Sequence, residues 1–331
     1  MLNYPTLMDV ARRSGNGSQS DIIEILNASN PILEDIPWLE CNSGVSHITT
    51  IRTGIPTPVW RMLNSGTPNG KSTTKQITAH CGMLEIYSEI DAKQVDLARR
   101  NGQQTGAADF LASENNAFIE GFGQEIARVF FYGDNSKPQE PVGLINYYSK
   151  LNTGKEVNVI DAGGTGSANT SIWLVQWGPD SVHGLYPQGS AGGLKEEYLG
   201  VHTVKDADGN QFQAHRTHYS WDAGLVVRDW RSAVRIANVD VLAAKSADAA
   251  AVNVLKMLTM AYYKLPKKSA MTRTAIYMTK EIITLLDLQV QNKTNIMLSY
   301  ADFDGKKVLT YRGIPIREQE TLRLDEARVT A

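Results

Sequence analysis

Hydrophobic residues are unevenly distributed along the chain, and their spacing changes character several times. Residues 1–40 read as an arm: Thr6–Arg13 and Ser20–Leu26 are short capped helices, separated by Ser14-Gly15-Asn16-Gly17-Ser18, with Pro31 stopping the second. Helices this short are marginal in water without a surface to lie on. From Cys41 to about Ser88 the text turns to Thr, Gly, Pro and Asn. Within it Lys75–Met83 alternates, with Ile77, Ala79, Cys81 and Met83 on one face and Thr78 and His80 on the other, which is the period of a half-buried strand. Ile48–Thr53 is its expected partner. The connection between them carries Pro56, Pro58, Gly66, Pro68 and Gly70 and too little apolar matter for a private core. The spacing therefore predicts an extended hairpin over 41–88 that needs a neighbouring molecule to lie against.

Asp91 with Gln94 forms a capping-box pattern that opens a helix, interrupted at Asn101-Gly102. A longer helix is predicted over about 105–132, where Phe118, Phe122, Ile126 and Phe130 recur every fourth residue and Leu111 and Ala107 extend the stripe. Gly133 supplies its stop, and its length would be roughly 40 Å. Gly121 and Gly123 in its middle mark a bend or a close backbone approach.

After Pro141 the pattern is mainly β. Strands are predicted at 157–160, 171–177, 201–205, 211–216, 225–230 and 233–241, with Asp208-Gly209 as a hairpin turn. Helices follow at 248–265 and 279–289, and the end returns to strand at 296–300, 307–312 and 314–317 around an Asp304-Gly305 turn. Strands and helices without strict βαβ alternation give an α+β class.

Composition narrows the function. The chain has 331 residues, 42% of them hydrophobic, which suffices for a substantial core. Its 33 Lys and Arg against 35 Asp and Glu give a charge of −2, so no basic surplus signals a tight grip on nucleic acid or a membrane surface. No apolar run approaches the roughly 18 residues of a spanning helix, and no leader is visible at Met1-Leu2-Asn3-Tyr4-Pro5, so a soluble protein made in the cytosol is expected. Cys41 and Cys81 are too few for a disulfide framework and are expected to be free thiols.

The chemical motifs fail one by one. Ser65-Gly66-Thr67-Pro68-Asn69-Gly70-Lys71-Ser72 nearly spells a phosphate-binding loop, the basis of an alternative reading as a nucleotide- or phosphate-binding enzyme. Ser65 stands where the first Gly is needed, and a strand follows where a helix must begin. Ala162-Gly163-Gly164-Thr165-Gly166 is followed by a strand as well, so no helix N-terminus can receive a pyrophosphate. A two-residue turn at Asp208-Gly209 would place His202 opposite His215, but two ligands do not make a metal site. Gln188-Gly189-Ser190-Ala191-Gly192 lacks the first Gly of a nucleophile elbow. No catalytic residue, metal or cofactor is expected.

Taken in order, the segments resemble the major capsid proteins of tailed, double-stranded-DNA bacteriophages with the Hong Kong 97-type fold. The residues that carry the likeness are Ile36-Pro37-Trp38, Arg52-Thr53-Gly54-Ile55-Pro56 with Trp60-Arg61, Ile119-Glu120-Gly121-Phe122 leading to Phe130-Phe131-Tyr132-Gly133-Asp134, and Pro141-Val142-Gly143-Leu144. Ser171-Ile172-Trp173-Leu174-Val175, Tyr186-Pro187-Gln188-Gly189, Gly224-Leu225-Val226-Val227-Arg228-Asp229-Trp230-Arg231 and Tyr311-Arg312-Gly313-Ile314-Pro315-Ile316-Arg317 continue it. The resemblance implies an N-terminal arm (1–40), an extended loop (41–88), a peripheral domain (89–160) with its spine helix at about 105–132, a mainly axial region (161–305), and a return strand with a C-terminal tail (306–331). It also implies self-assembly as hexamers and pentamers into an icosahedral virion shell, put together in the bacterial cytoplasm. Expected partners are a separate scaffolding protein, a decoration or cement protein, a portal, and packaged DNA held weakly; no membrane is involved. Tail-tube and decoration proteins are the other structural alternatives, disfavoured by the size and the long helix. Candidate intersubunit contacts are Val59, Trp60, Arg61, Met62, Lys71 and Lys75, and candidate spine-helix packing residues are Leu111, Phe118, Phe122, Ile126 and Phe130. Some relatives join subunits by a Lys–Asn isopeptide bond; Lys71 and Lys75 lie in the right region, but no partner Asn can be matched, so no crosslink is expected.

Overall fold

The computed structural model describes residues 30–93, 106–151, 158–205, 209–242, 253–266, 272–291, 298–303 and 306–330. The two short arm helices lie outside these residues, as do most of the helix expected from Asp91 and the Asp304-Gly305 turn.

In chain order, helix α1 (Pro31–Asp35) leads to β1 (Trp38–Glu40), β2 (Ser46–Gly54) and β3 (Thr73–Asp91). Helix α2 (Gly106–Tyr132) and the single turn α3 (Leu144–Tyr147) come next. The β-rich part comprises β4 (Val159–Asp161), β5 (Asn169–Trp177), β6 (Val182–Tyr186), β7 (Lys195–Lys205), β8 (Gln211–Val227) and β9 (Ala233–Asp240). Helix α4 (Val254–Lys264), β10 (Arg273–Met278), α5 (Lys280–Gln291), β11 (Leu298–Phe303), β12 (Lys306–Tyr311) and β13 (Ile314–Glu318) complete it. The strands join in the order β11-β12-β13-β10-β5-β6-β8-β3-β2, and β1, β4, β7 and β9 pair off this path.

The middle of the sheet is covered on both faces, and β5 shows why. Trp173, Val175 and Trp177 point toward α2, into a core shared with Phe122, Ile126, Phe130 and Trp38. Ile172 and Leu174 point the other way, onto Leu258 of α4 and Ile282, Leu285 and Leu286 of α5. Buried on both sides, β5 has no polar alternation, as expected of a strand with a helix layer on each face. Aromatic rings dominate the α2 side: Phe118 stacks on Tyr219 of β8 at 5.6 Å, and Phe131 meets Tyr277 of β10 edge-on at 5.9 Å.

Helix α2 ends where Gly133 predicts. A Cβ on Gly133 would lie 2.1 Å from the Pro141 carbonyl oxygen, and one on Gly143 would lie 2.4 Å from the Gly133 nitrogen. The two glycines pack backbone against backbone and bring the Pro141–Leu144 segment back under the helix. Gly143→Ala should therefore destabilise the fold by about 1–3 kcal/mol, the range for forcing extra volume into a packed site, measured as a lower urea midpoint at unchanged slope. Of the two expectations for Gly121, the close backbone approach is not met, since its Cβ position is open with nothing within 4 Å.

Three further differences have physical causes. The strands expected at 211–216 and 225–230 are one strand, β8, because Thr217, Tyr219, Trp221 and Ala223 alternate inward across the supposed gap. Gly224, which reads as a breaker, instead lets β3 approach; a Cβ there would sit 2.9 Å from the His80 carbonyl oxygen. Strand β3 is also longer than its alternating core and changes partner midway, from β2 up to His80 to β8 from Cys81 onward. Finally, His202 pairs with Ala214 and His215 with Val201. The β7–β8 connection is longer than two residues, and the one-residue offset places the two histidines on opposite faces. His202 Nε2 bonds the Leu199 carbonyl (3.1 Å) and His215 Nδ1 bonds the Tyr198 hydroxyl (2.6 Å).

Candidate assembly surface

The β2–β3 hairpin is tied down at its root and bare at its tip. At the root, the Cys41 amide donates to the Tyr186 carbonyl (2.9 Å), the Cys81 amide donates to the Val45 carbonyl (2.9 Å), and the Asn42 side chain bonds both the amide and the carbonyl of Ile48 (2.8 Å each). The Gly189 amide donates to the Glu40 carboxylate at 2.7 Å. Further out, the ladder runs from Ser46↔His80 to Gly54↔Thr73, with an irregularity between Arg52 and Gly54. A Cβ on Gly54 would meet the Thr73 hydroxyl oxygen at 2.4 Å, so a side chain there would turn that hydroxyl away from Thr53.

Beyond that pair the chain makes an irregular loop, turning at Met62–Ser65, where Ser65 N donates to Met62 O (3.2 Å) and Asn64 takes φ +64°. Its apolar side chains are left largely open by the described residues: Trp60 is 104% exposed, Leu63 92%, Met62 80% and Val59 51%. Arg61, Lys71 and Lys75 are exposed alongside them. The six expected contact residues thus share one projection. Leu63 and Ile55 belong with them and were not expected, although both are large apolar residues in the same Pro- and Gly-rich stretch. The near-phosphate loop Ser65–Ser72 is part of this exposed loop and runs directly into β3, so no helix start is available to bind an anion.

Helix α2 places Phe122, Ile126 and Phe130 in the core and Phe118 partly buried at its edge; the Leu111 side chain lies outside the described residues. A groove of about 530 Å³ runs between α2 and β3, lined by Leu84, Ile86, Phe118, Gly121 and Phe122. It is the apolar face that the spine helix leaves open.

Two buried polar clusters hold the chain ends to this frame. Glu326, in the tail after β13, accepts from Arg235 (2.8 Å), Ser171 (2.5 Å) and Tyr132 (2.5 Å). Arg235 also reaches the Ser171 hydroxyl (2.9 Å) and the Tyr148 carbonyl (2.9 Å), and the ion pair is 1% and 3% exposed. Burial, and then the Glu326 charge, push the Tyr132 hydroxyl far above its ordinary range, so it stays a donor. At the other end Asp35 of α1 accepts from Tyr277 (2.8 Å) and Arg317 (3.1 Å). Burial raises the Asp35 carboxyl above the usual range, against the pull of Arg317.

At the hairpin root His47 meets His183 edge-on at 5.8 Å. His183 is fully buried, and burial with the nearby His47 and Arg228 lowers its pKa to about 3, against a smaller opposing pull from the Gly178 backbone. It is neutral when folded, whereas the unfolded chain takes up a proton near the ordinary value of 6.5. Stability from this residue is therefore full above that value and is lost as pH falls toward 3. Between pH 7 and 5 the loss should be roughly 2 kcal/mol, read as a falling urea midpoint that His183→Gln flattens.

Among the described residues no group of three His, Cys, Asp or Glu side chains is placed to hold a metal ion, and no helix is long and apolar enough to cross a membrane.

Comparison with known proteins agrees with the architecture. The family described as Major capsid protein GP7 matches residues 14–330. A chain in the structure of bacteriophage epsilon15 is similar at 35% identity, with 90% of this chain and 88% of that chain covered and a TM-score of 0.67. A chain of the bacteriophage JBD30 capsid shares the fold at 7% identity, with 89% and 92% covered and a TM-score of 0.51. No curated protein matches the sequence. The family match spans nearly the whole chain, and the chain therefore belongs to the major capsid protein GP7 family, structural shell-forming proteins with the Hong Kong 97-type fold of tailed bacteriophages.

Proposed function

We propose that this chain builds an icosahedral shell as hexamers and pentamers, with the tip of the β2–β3 hairpin lying across a neighbouring copy. The observation that carries this reading is the hairpin itself: it is anchored at one end and ends in an exposed Trp, Met and Leu that none of the described residues covers. A cluster of large apolar groups exposed together on a projection marks a contact surface. On the neighbour, the groove beside α2 offers matching chemistry in Leu84, Ile86 and Phe118. The division into arm, extended loop, peripheral domain, axial region and return strand follows the resemblance to the capsid fold. A separate scaffolding protein, a decoration protein and a portal complete the proposed assembly in the bacterial cytoplasm, and the near-neutral charge suits a shell that encloses DNA without gripping it.

The test is electron microscopy and sedimentation of the chain produced with its scaffolding partner. Closed shells with six- and five-fold clusters are expected. Monomers that stay compact at high concentration in that mixture would overturn the reading.

A further inference from the structure

The two cysteines are free thiols, as expected, and the fold brings them together. Cys41, at the end of the segment leading into the hairpin, and Cys81, where β3 leaves β2 for β8, have sulfurs 3.4 Å apart. They sit in a small separate cluster with Ala79, Leu185 and Val226, and are 2% and 8% exposed. Forty positions of sequence separate them, and the whole hairpin lies between. A bond between them would close the arm into a covalent ring at the point where it meets the body.

We propose that Cys41 and Cys81 are a modification site, an intrachain disulfide pair that closes when peroxide reaches it and fastens the hairpin root. The sulfurs need to approach by roughly 1.4 Å to reach bonding distance. Either sulfur can donate in the contact; with Cys81 donating, the Cys41 thiol is lowered while the contact and burial push the Cys81 thiol up, which makes Cys41 the sulfur that reacts first. The Cys41 sulfur attacks one peroxide oxygen, breaking the O–O bond and giving a sulfenic acid and water. The Cys81 sulfur then displaces the sulfenic hydroxyl as a second water, forming the S–S bond. Both thiol protons end in the two waters, and the two electrons from sulfur reduce one peroxide. In the reducing interior of a cell the pair stays open, and in an oxidising medium it closes.

The folded full-length chain, reduced or treated with hydrogen peroxide, is to be unfolded, alkylated and weighed. Two alkylated thiols are expected before treatment and none after, with a Cys41–Cys81 linked peptide and no dimer on a non-reducing gel. Amide exchange across β2 and the first half of β3 should slow in the oxidised protein. Cys41→Ser should leave Cys81 free to alkylate after the same treatment. Thiols that survive peroxide in the folded chain but not in the unfolded one, a bond between copies, or unchanged exchange at the root would each overturn the proposal.

Discussion

Replacing Trp60 and Met62 together by Ser is expected to abolish shell formation while leaving the monomer as stable as before. Neither side chain is buried by the described residues of its own chain: Trp60 is fully exposed, Met62 is 80% exposed, and a backbone turn from Met62 to Ser65 holds the loop beside them. Exposed substitutions of this kind change stability by about 0.5 kcal/mol or less. Association is another matter. A central Trp in a contact is worth about 2 kcal/mol or more, which is roughly thirtyfold in one contact, and every copy in a shell makes that contact. The threshold concentration for assembly should therefore rise beyond the accessible range, as read by light scattering, with the urea midpoint unmoved. Trp60→Phe should restore assembly in part. Normal shells from the double variant would show that the tip does not carry the contact.

The second large effect is on the fold itself. Arg235→Met should cost about 3–5 kcal/mol, because it strands the Glu326 carboxylate in a site with only the Tyr132 and Ser171 hydroxyls for company. Glu326→Leu should cost a similar amount by leaving the guanidinium unpaired. Together the two substitutions should cost much less than their sum, since an apolar pair of similar volume removes the buried charges altogether. The cluster joins the end of α2, the central strands β5 and β9, and the C-terminal tail, which Asn238 also holds by accepting from the Val329 amide (2.8 Å) and donating to its carbonyl (3.0 Å). Urea unfolding of the two single variants and the double variant gives the cycle directly. Strict additivity would contradict the assignment.

How much of this was readable in advance depended on whether a residue's partner was near in sequence. The α2 stripe of Phe118, Phe122, Ile126 and Phe130 was legible because a helix writes its own period, and the hairpin was legible from the alternation of Ile77, Ala79 and Cys81, although Met83, read on the same face, is 69% exposed. Strand β10 was missed because Ala275 and Tyr277 face one helix layer while Ile276 and Met278 face the other, which erases the alternation. The short strands β1 and β6 offered too few residues for a period to show. The His202–His215 register failed by one residue because a turn was assumed where a longer connection exists. Nothing local distinguishes Glu326 from the other tail carboxylates; its role comes from Arg235, Ser171 and Tyr132, all distant in the chain. At the assembly surface the exposed tip residues were identifiable from composition, whereas the Cys41–Cys81 juxtaposition required β1 to pair with β6 and both β6 and β3 to flank β8.

The hairpin tip is most directly tested by hydroxyl-radical footprinting of Trp60 and Met62 in the unassembled chain and in closed particles. On the present account both side chains oxidise readily in the free protein and become strongly protected on assembly, as an adjacent copy covers them. Equal oxidation in the two states would mean that the tip stays in solvent, and the contact proposed for it would be wrong.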